Sequence, residues 1–118
     1  MLAVRPTRSG DAEALAPRLR AEDLEAIEAV TGEPPGLVLE RGVATSDPCL
    51  TVVGERGEIV AIFGVVPEPE AEGSGIVWLL GSAAVEREAT SFLRLSRLWV
   101  ERLLERYDVL WNHVDARH

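Results

Sequence analysis

The chain has 118 residues, of which 47% are hydrophobic, and it carries a formal net charge of −8. This length suits a single domain, residues 1–118, with a real core, and it is too short for two. The acidic balance argues against nucleic acid as a partner, because phosphates need a cationic face. The longest apolar run, residues 75–84, is far too short to span a membrane.

Cysteine and lysine usage excludes several kinds of chemistry. Cys49 is the only cysteine, so a disulfide framework and a cysteine metal cluster are excluded. We expect a buried structural thiol there, because Cys49 opens an apolar strand. The N-terminal residues 1–6 lack the pattern of a secretion signal, which predicts an intracellular protein. All 12 basic residues are arginine, so no lysine amine is present for Schiff-base chemistry.

The first half of the chain predicts one short strand followed by three helices. The strand covers residues 2–5, and the first helix ends by Ala16, before the helix breaker Pro17. A second helix begins near Ala21, with Gly32 as its C-cap. Helical spacing predicts the buried faces of the second helix and of the third, residues 37–44. Those faces comprise Leu24, Ile27 and Val30 in the second helix, and Leu37, Val38 and Val43 in the third.

The second half changes to a strand pattern and then to a long helix. Strands are predicted at residues 49–54, 59–66 and 76–80, and their continuous apolar runs predict burial on both faces. Between the second and third lies an exposed loop with Glu68, Glu70 and Glu72. The long helix has an apolar stripe, and a last strand is predicted at residues 109–114. The stripe comprises Phe92, Leu95, Trp99, Leu103 and Leu104. Trp78, Trp99 and Trp111 are interpreted as packing groups.

The predicted start of the long helix is a candidate anion site. Thr90 and Ser91 stand where the helix is expected to begin, and free N–H groups at a helix N-terminus favour negative charge. Arg87 precedes them, and Arg94 and Arg97 follow within two turns. The alternative is a capped helix with solvated arginines, which is favoured because no glycine lets a ligand approach the backbone.

The C-terminal segment and Tyr107 are weaker candidates. Asn112, His113, Asp115 and His118 lie close in sequence, but two histidines and one aspartate at a chain end make a poor metal site. The sequence therefore predicts no metal, and a polar strand end is favoured over a His–Asp acid/base pair. Tyr107 is a weak candidate for a proton donor; a tyrosine at the core edge is the alternative.

The order of elements resembles the GNAT (GCN5-related N-acetyltransferase) fold. In sequence, the chain is similar to a tailed-phage family that includes internal virion protein A of short-tailed phages. The resemblance rests on segments spread over nearly the whole chain: Arg5-Pro6-Thr7 with Asp11, Leu19-Arg20 with Asp23, 62–65, 77–81, 92–97, and Asn112 with 114–116. It implies an α/β (α+β) fold with a mixed, mainly antiparallel sheet flanked by helices, whose C-terminal part is missing or truncated.

The resemblance also implies where a cofactor would bind. In GNAT enzymes, a glycine-containing loop between the fourth strand and the long helix holds the pyrophosphate of acetyl-CoA. The matching residues here, 82–90, contain no glycine and include two glutamates. The sequence therefore predicts no bound cofactor. His118 stands by spacing where GNAT enzymes place an asparagine.

Two hypotheses follow from the resemblance. The favoured one is a phage virion or assembly protein that uses an acetyltransferase-like scaffold for contacts without catalysis. Its partners would be phage or host proteins or a second copy of itself, in the bacterial cytoplasm or the virion. The alternative is an acetyl-CoA-dependent N-acetyltransferase of the GNAT type. A backbone N–H near Leu79 or Leu80 would then polarise the thioester, with Arg87, Thr90, Ser91 and Arg94 near the pyrophosphate.

Overall fold

The computed structural model describes residues 1–112. Five strands and five helices follow one another along this part of the chain. The elements, in chain order, are β1 (Ala3–Pro6), α1 (Asp11–Leu15) with a 3₁₀ turn (Ala16–Arg18), α2 (Ala21–Val30), α3 (Pro35–Thr45), β2 (Cys49–Val53), β3 (Ile59–Pro67), β4 (Ser74–Gly81), α4 (Ala84–Arg87), α5 (Ala89–Arg106) and β5 (Val109–Asn112). Within the described residues, no helix has both the length and the apolar character needed to cross a membrane.

The strands form one five-stranded sheet in which spatial order equals chain order, β1-β2-β3-β4-β5. The first three pairings are antiparallel, and β4 with β5 is parallel. A parallel pair needs a long crossover, and α5 supplies it. The mixed, mainly antiparallel sheet flanked by helices confirms the predicted fold class.

The two faces of the sheet are covered by different parts of the chain. Alternation along a strand sends successive side chains to opposite faces. Phe63, Val65 and Leu103 belong to the cluster under α5, whereas Ile62 and Leu39 belong to the cluster under α1, α2 and α3. Seven consecutive residues of β3, from its first residue, are buried, which confirms the prediction that this apolar run is covered on both sides.

Helix faces differ from their predicted orientation in α2 and α3. Leu24 and Val30 are exposed in α2, and Ile27 is the buried apolar residue beside the buried Asp23. In α3, Leu37 is exposed and Leu39 is fully buried. The helix begins at Pro35, an N1 proline, and not at residue 37. Tertiary packing set these faces, because each helix has apolar residues on more than one side.

Asp11 is a buried carboxylate at the start of α1 and is 6% exposed. It accepts hydrogen bonds from Arg5 Nη1 at 2.7 Å and Arg5 Nη2 at 3.0 Å. It also accepts from the Arg8 N–H and the Thr51 hydroxyl, both at 2.8 Å. These bonds tie α1 to β1 and β2 and satisfy a charge that burial alone would penalise.

The pKa of Asp11 is lowered to about 2, because the bonds from Arg5, Arg8 and Thr51 outweigh the upward effect of burial. A carboxyl group whose pKa is lowered by folding stabilises the folded state at any pH above its unfolded-state pKa. This stabilisation is lost as the pH falls through the pKa of the folded state. We therefore expect Asp11 to contribute about 2 kcal/mol at neutral pH, lost between about pH 4 and pH 2. Urea unfolding of wild type and Asp11→Asn at both ends of that range measures the difference.

The matched control for this experiment is Glu70→Gln in the exposed loop. Its unfolding free energy should track that of wild type at every pH. A difference between wild type and Asp11→Asn that stays constant with pH would contradict the assignment.

Candidate functional site

Beyond Val77, the outer edge of β4 has no strand partner among residues 1–112, and hydrogen bonding shows which backbone groups face that edge. Ser82 donates its N–H to the Val60 carbonyl at 2.8 Å, so this residue faces β3. Alternate residues of an antiparallel strand face the same neighbour. Leu80 and Trp78 therefore point their backbone groups toward β3, and Leu79 points its groups away from β3.

Both ends of this edge are closed. At one end, β5 pairs with β4 as far as Val77, which lies beside Asn112. At the other end, Gly81 donates its N–H to Asp23 Oδ2 at 2.8 Å and accepts the Arg20 N–H at 2.9 Å. We call residues 78–80 between them the edge gap. Within the described residues, no hydrogen bond to the outward Leu79 N–H is formed.

A cavity lies on each face of the sheet at the edge gap. The α5 cavity, of about 240 Å³, lies between the sheet and α5 and has Leu79 in its wall. The α2/α3 cavity, of about 300 Å³, lies on the opposite face and has Trp78 and Leu80 in its wall. Both are lined mainly by apolar side chains. The side chains of residues 78–80 alternate between the two cavities, so the Leu79 N–H lies at the edge of β4 between them.

In the connection from β4 to α5, the backbone N–H groups form hydrogen bonds within the connection itself. The N–H groups of 84–88 all bond to oxygens of Ser82, Ala83 or Ala84, at 3.0 to 3.3 Å. The predicted loop is thus a helical turn, α4, and it offers none of these donors to a ligand. This is the structural consequence of a connection without glycine.

The first turn of α5 retains its donors. The helix begins at Ala89, one residue before the predicted start, and its N-cap Glu88 makes no side-chain cap bond. Thr90 and Ser91 are exposed in the first turn, where N–H groups have no intrahelical partner. Arg87, Arg94 and Arg97 are exposed nearby in sequence. Thr90 and Ser91 therefore lie inside the helix and do not cap it.

Acidic groups also surround this end of β4. The pKa of Glu86 is raised, first by its hydrogen bond with the Glu22 carboxyl and then by the charge of Glu22. Both carboxylates are exposed, and together they add negative charge at this end of the sheet. The sequence had identified Glu86 as unfavourable to a phosphate, and the structure adds Glu22 from α2.

Tyr107 lies at the opposite end of β4 from the α4 turn. Its hydroxyl donates to the Asp47 carbonyl, and a Cβ on Gly75 would come within 3.0 Å of its ring. Gly75 and Gly81 are about 20 Å apart along the strand. Tyr107 is therefore a packing residue with a bonded hydroxyl, and its placement gives no support to the weak prediction of a proton donor.

Cys49 and the tryptophans have structural surroundings. Burial raises the pKa of the half-buried Cys49 thiol, which accepts a hydrogen bond from the Thr7 hydroxyl. Trp78 Nε1 donates to the Ser46 hydroxyl at 2.6 Å, and Trp99 meets Phe63 edge-on. Trp111, in contrast, is 56% exposed, so its prediction as a core residue is wrong. Leu110 points inward instead, because adjacent strand residues face opposite sides.

The remaining candidates lie at the end of the chain. Asn112 lines the α5 cavity. His113, Asp115 and His118 lie outside the described residues, as does the end of the strand predicted at 109–114.

The most important residue that sequence interpretation missed is Asp23. It is 7% exposed and also accepts from Arg20 Nε at 2.9 Å. Its carboxylate accepts the Gly81 N–H at the end of the edge gap. The sequence had predicted that α2 buries only apolar residues, so a buried aspartate was not expected. The available signal was the Arg20–Asp23 spacing of three, which brings opposite charges together on a helix end.

Comparisons with known proteins give a clear answer at the level of the fold. No family model matches the sequence, and no curated protein matches it. Among solved structures, the ribosomal-protein-S18-alanine N-acetyltransferase of Escherichia coli superposes with a TM-score of 0.64 at 13% identity, over 98% of this chain and 68% of that one. A Brucella melitensis ribosomal-protein-alanine N-acetyltransferase gives 0.60 at 18%, over 98% and 82%. The chain has a GNAT-like fold.

A third similar structure is a GNAT family acetyltransferase from Brucella melitensis in complex with acetyl-CoA. It superposes with a TM-score of 0.58 at 14% identity, over 87% of this chain and 68% of that one. These identities are low, so the similarity describes the shared GNAT-like scaffold. It also shows that a scaffold of this shape holds acetyl-CoA in that protein.

The phage hypothesis is wrong. The three structures named above are acetyltransferases, and none of them is a virion or phage assembly protein. Two of the segments that suggested the phage family have a structural role. Arg5 with Asp11 and Arg20 with Asp23 form partly buried ion pairs.

Proposed function

We propose that the chain is an acetyl-CoA-dependent N-acetyltransferase of the GNAT type. The observation that carries this proposal is the edge gap, where one outward N–H, that of Leu79, has no partner among residues 1–112 and lies between the β5 pairing at Val77 and the Asp23 contact at Gly81. An unpaired strand N–H in a low-polarity wall is a ready donor for a carbonyl oxygen that gains negative charge. The GNAT-like fold is consistent with this use of the gap.

The residues at the gap fit the acyl end of acetyl-CoA. When bound, acetyl-CoA would supply an acetyl group activated as a thioester. Leu79 would offer its N–H to the carbonyl oxygen, and the apolar walls of the α5 cavity would exclude water around it. Of the two backbone donors predicted from sequence, only Leu79 faces the gap, because Leu80 faces β3.

The pyrophosphate of acetyl-CoA would fit only at the first turn of α5. The N–H groups of residues 84–88 are used within the α4 turn, so the pyrophosphate would bind at the N–H groups of Thr90 and Ser91, with Arg87 and Arg94 as the flanking cations in sequence. Glu86 and Glu88 oppose an anion there. We therefore expect weaker binding than a glycine-rich loop would give, because fewer donors converge on the phosphates.

The α2/α3 cavity is the proposed place for the amine substrate. Its wall is apolar around Ile27, Val38 and Leu80, and the one charged residue that residues 1–112 contribute to it, Arg41, is paired with Glu33. A neutral, apolar pocket suits an amine attached to an apolar group. The amine would approach the gap from the face opposite the α5 cavity.

Acetyl-CoA binding is the first test. Thermal unfolding followed during titration should show stabilisation of about 2.7 kcal/mol at one hundred times the dissociation constant. Arg87→Ala should weaken binding, since it removes a cation beside the phosphates. The matched control is Arg18→Ala, an exposed arginine in the 3₁₀ turn, which should bind as wild type does.

Two outcomes would count against the proposal. One is the absence of any stabilisation at millimolar acetyl-CoA. The other is equal stabilisation by inorganic pyrophosphate, which would reduce the site to an anion-binding helix end.

A further inference from the structure

The α5 cavity is larger than an acetyl group requires. Its volume of about 240 Å³ exceeds the roughly 150 Å³ at which an apolar cavity in a protein core stays dry and binds benzene. The methyl carbon of an acetyl group would leave most of this space empty, and empty space forfeits the dispersion contacts of the atoms that line it. The cavity therefore has room for a hydrocarbon chain of about six carbons.

The cavity begins at the edge gap and runs inward beneath the sheet. Leu79 of β4 and Asn112 of β5 line its outer part, and Val52 of β2 lines its inner part. β2 lies two strands away from β4, and neighbouring strands are about 4.8 Å apart, so the cavity reaches about 10 Å under the sheet. Val52 is 1% exposed and Leu103 3%, so the inner end lies in the hydrophobic core. A chain attached to an acyl carbon at the gap would extend in this direction.

The lining of the cavity suits hydrocarbon and not a charged acyl group. None of the residues of 1–112 that line it is charged. The rings of Phe63 and Trp99 meet edge to face in its wall, with centroids 5.9 Å apart. The Ser96 hydroxyl donates to the Phe92 carbonyl at 2.8 Å, so this donor is already used within the helix. A saturated chain that enters the cavity would not break that hydrogen bond.

We propose that the α5 cavity binds the hydrocarbon chain of an acyl-CoA donor longer than acetyl-CoA, with an acyl group of about six carbons. This inference rests on the proposed function, because the Leu79 N–H would hold the carbonyl oxygen beside which the chain enters the cavity. Each methylene that is buried strengthens binding about fourfold, and ordering the chain offsets part of this gain. We therefore expect hexanoyl-CoA to bind more tightly than acetyl-CoA by a factor of about ten or more.

Ser96 is a small residue that leaves this space open. It lies at helical spacing between Phe92 and Trp99, on the face of α5 that packs on the sheet, and all three line the cavity. Ser96→Leu would place an isobutyl group in the cavity and should abolish the preference for hexanoyl-CoA over acetyl-CoA. The matched control is Ser9→Leu, the same substitution in the exposed turn before α1, which should keep the preference.

Isothermal titration calorimetry with acetyl-CoA, butyryl-CoA, hexanoyl-CoA and dodecanoyl-CoA tests the proposal without requiring turnover. The affinity of the wild-type chain should rise from acetyl-CoA to hexanoyl-CoA. It should rise no further at dodecanoyl-CoA, because the buried Val52 and Leu103 close the inner end of the cavity. Circular dichroism verifies that the two variants fold.

Three results would overturn the proposal. The first is hexanoyl-CoA that binds wild type no more tightly than acetyl-CoA, whatever the variants do. The second is a folded Ser96→Leu variant that keeps the preference. The third is an affinity that continues to rise at dodecanoyl-CoA, which would indicate adsorption to exposed apolar surface.

The same titrations distinguish this proposal from the proposed acetyltransferase function. If acetyl-CoA binds and hexanoyl-CoA binds no better, only the longer acyl group is excluded. If hexanoyl-CoA binds and acetyl-CoA does not, the longer donor is supported and acetyl-CoA is excluded as the donor. If neither binds, both proposals are wrong.

Discussion

Leu79→Pro is expected to remove the proposed acetyl transfer while leaving the sheet in place. Proline has no N–H, and the N–H of Leu79 faces the edge gap and not β3, so no ladder bond within β3–β4 is lost. Deleting one donor to a developing oxyanion lowers kcat by about 10²–10³-fold. Single-turnover and steady-state kinetics with a small apolar amine measure the loss.

Two controls separate the backbone from the side chain in this experiment. Leu79→Ala keeps the N–H and shortens the side chain in the α5 cavity, so its kcat should remain close to that of wild type. Leu80→Pro removes a donor that faces β3 and should destabilise the sheet far more than Leu79→Pro. A Leu79→Pro variant that is folded by circular dichroism and turns over as wild type does would exclude this N–H from the reaction.

Asp23→Ala is expected to reduce the stability of the fold more than Asp11→Asn does. It leaves the Gly81 N–H without its acceptor and the Arg20 guanidinium without its ion-pair partner, both in a largely buried setting. We expect a loss of about 3 kcal/mol in the free energy of unfolding. Urea unfolding at neutral pH measures it.

The neighbouring Glu22 provides the matched control for Asp23. Glu22→Ala removes an exposed carboxylate from the same helical turn and should change stability by less than about 0.5 kcal/mol. Asp23→Asn keeps an acceptor for Gly81 and should fall between the two. If Asp23→Ala is as stable as Glu22→Ala, the hydrogen bond from the Gly81 N–H to the Asp23 carboxylate does not stabilise this end of β4.

Strands and turns were the parts of the fold that the sequence predicted best. The strand bounds agree within one or two residues, because continuous apolar runs bounded by turn residues leave little choice of register. Gly32 has a φ of +66° just beyond α2, as the C-cap prediction requires. The loop of residues 67–74 and the long helix were also found.

The candidate site was harder to predict, because it depends on which backbone groups remain unpaired. The sequence placed a donor near Leu79 or Leu80, but only the pairing of Ser82 with Val60 decides between them. The role of Asp23 was missed because an isolated aspartate near a helix start is usually exposed. The helical α4 turn was missed because residues 82–87 have no apolar periodicity long enough to signal a helix.

Different segments of the chain line the pockets on the two faces of the sheet, and this affects how the sequence of each pocket can change in evolution. Residues 21–45 build the helices over one pocket, and residues 84–106 build those over the other. Only β4 contributes to both pockets, through alternate side chains. Apart from Asp23, which bonds Gly81 at the edge gap, substitutions in residues 21–45 can therefore reshape the proposed amine pocket without changing the residues that line the α5 cavity. Under the proposed function, substrate preference could therefore change through residues 21–45 while the lining of the α5 cavity stays the same.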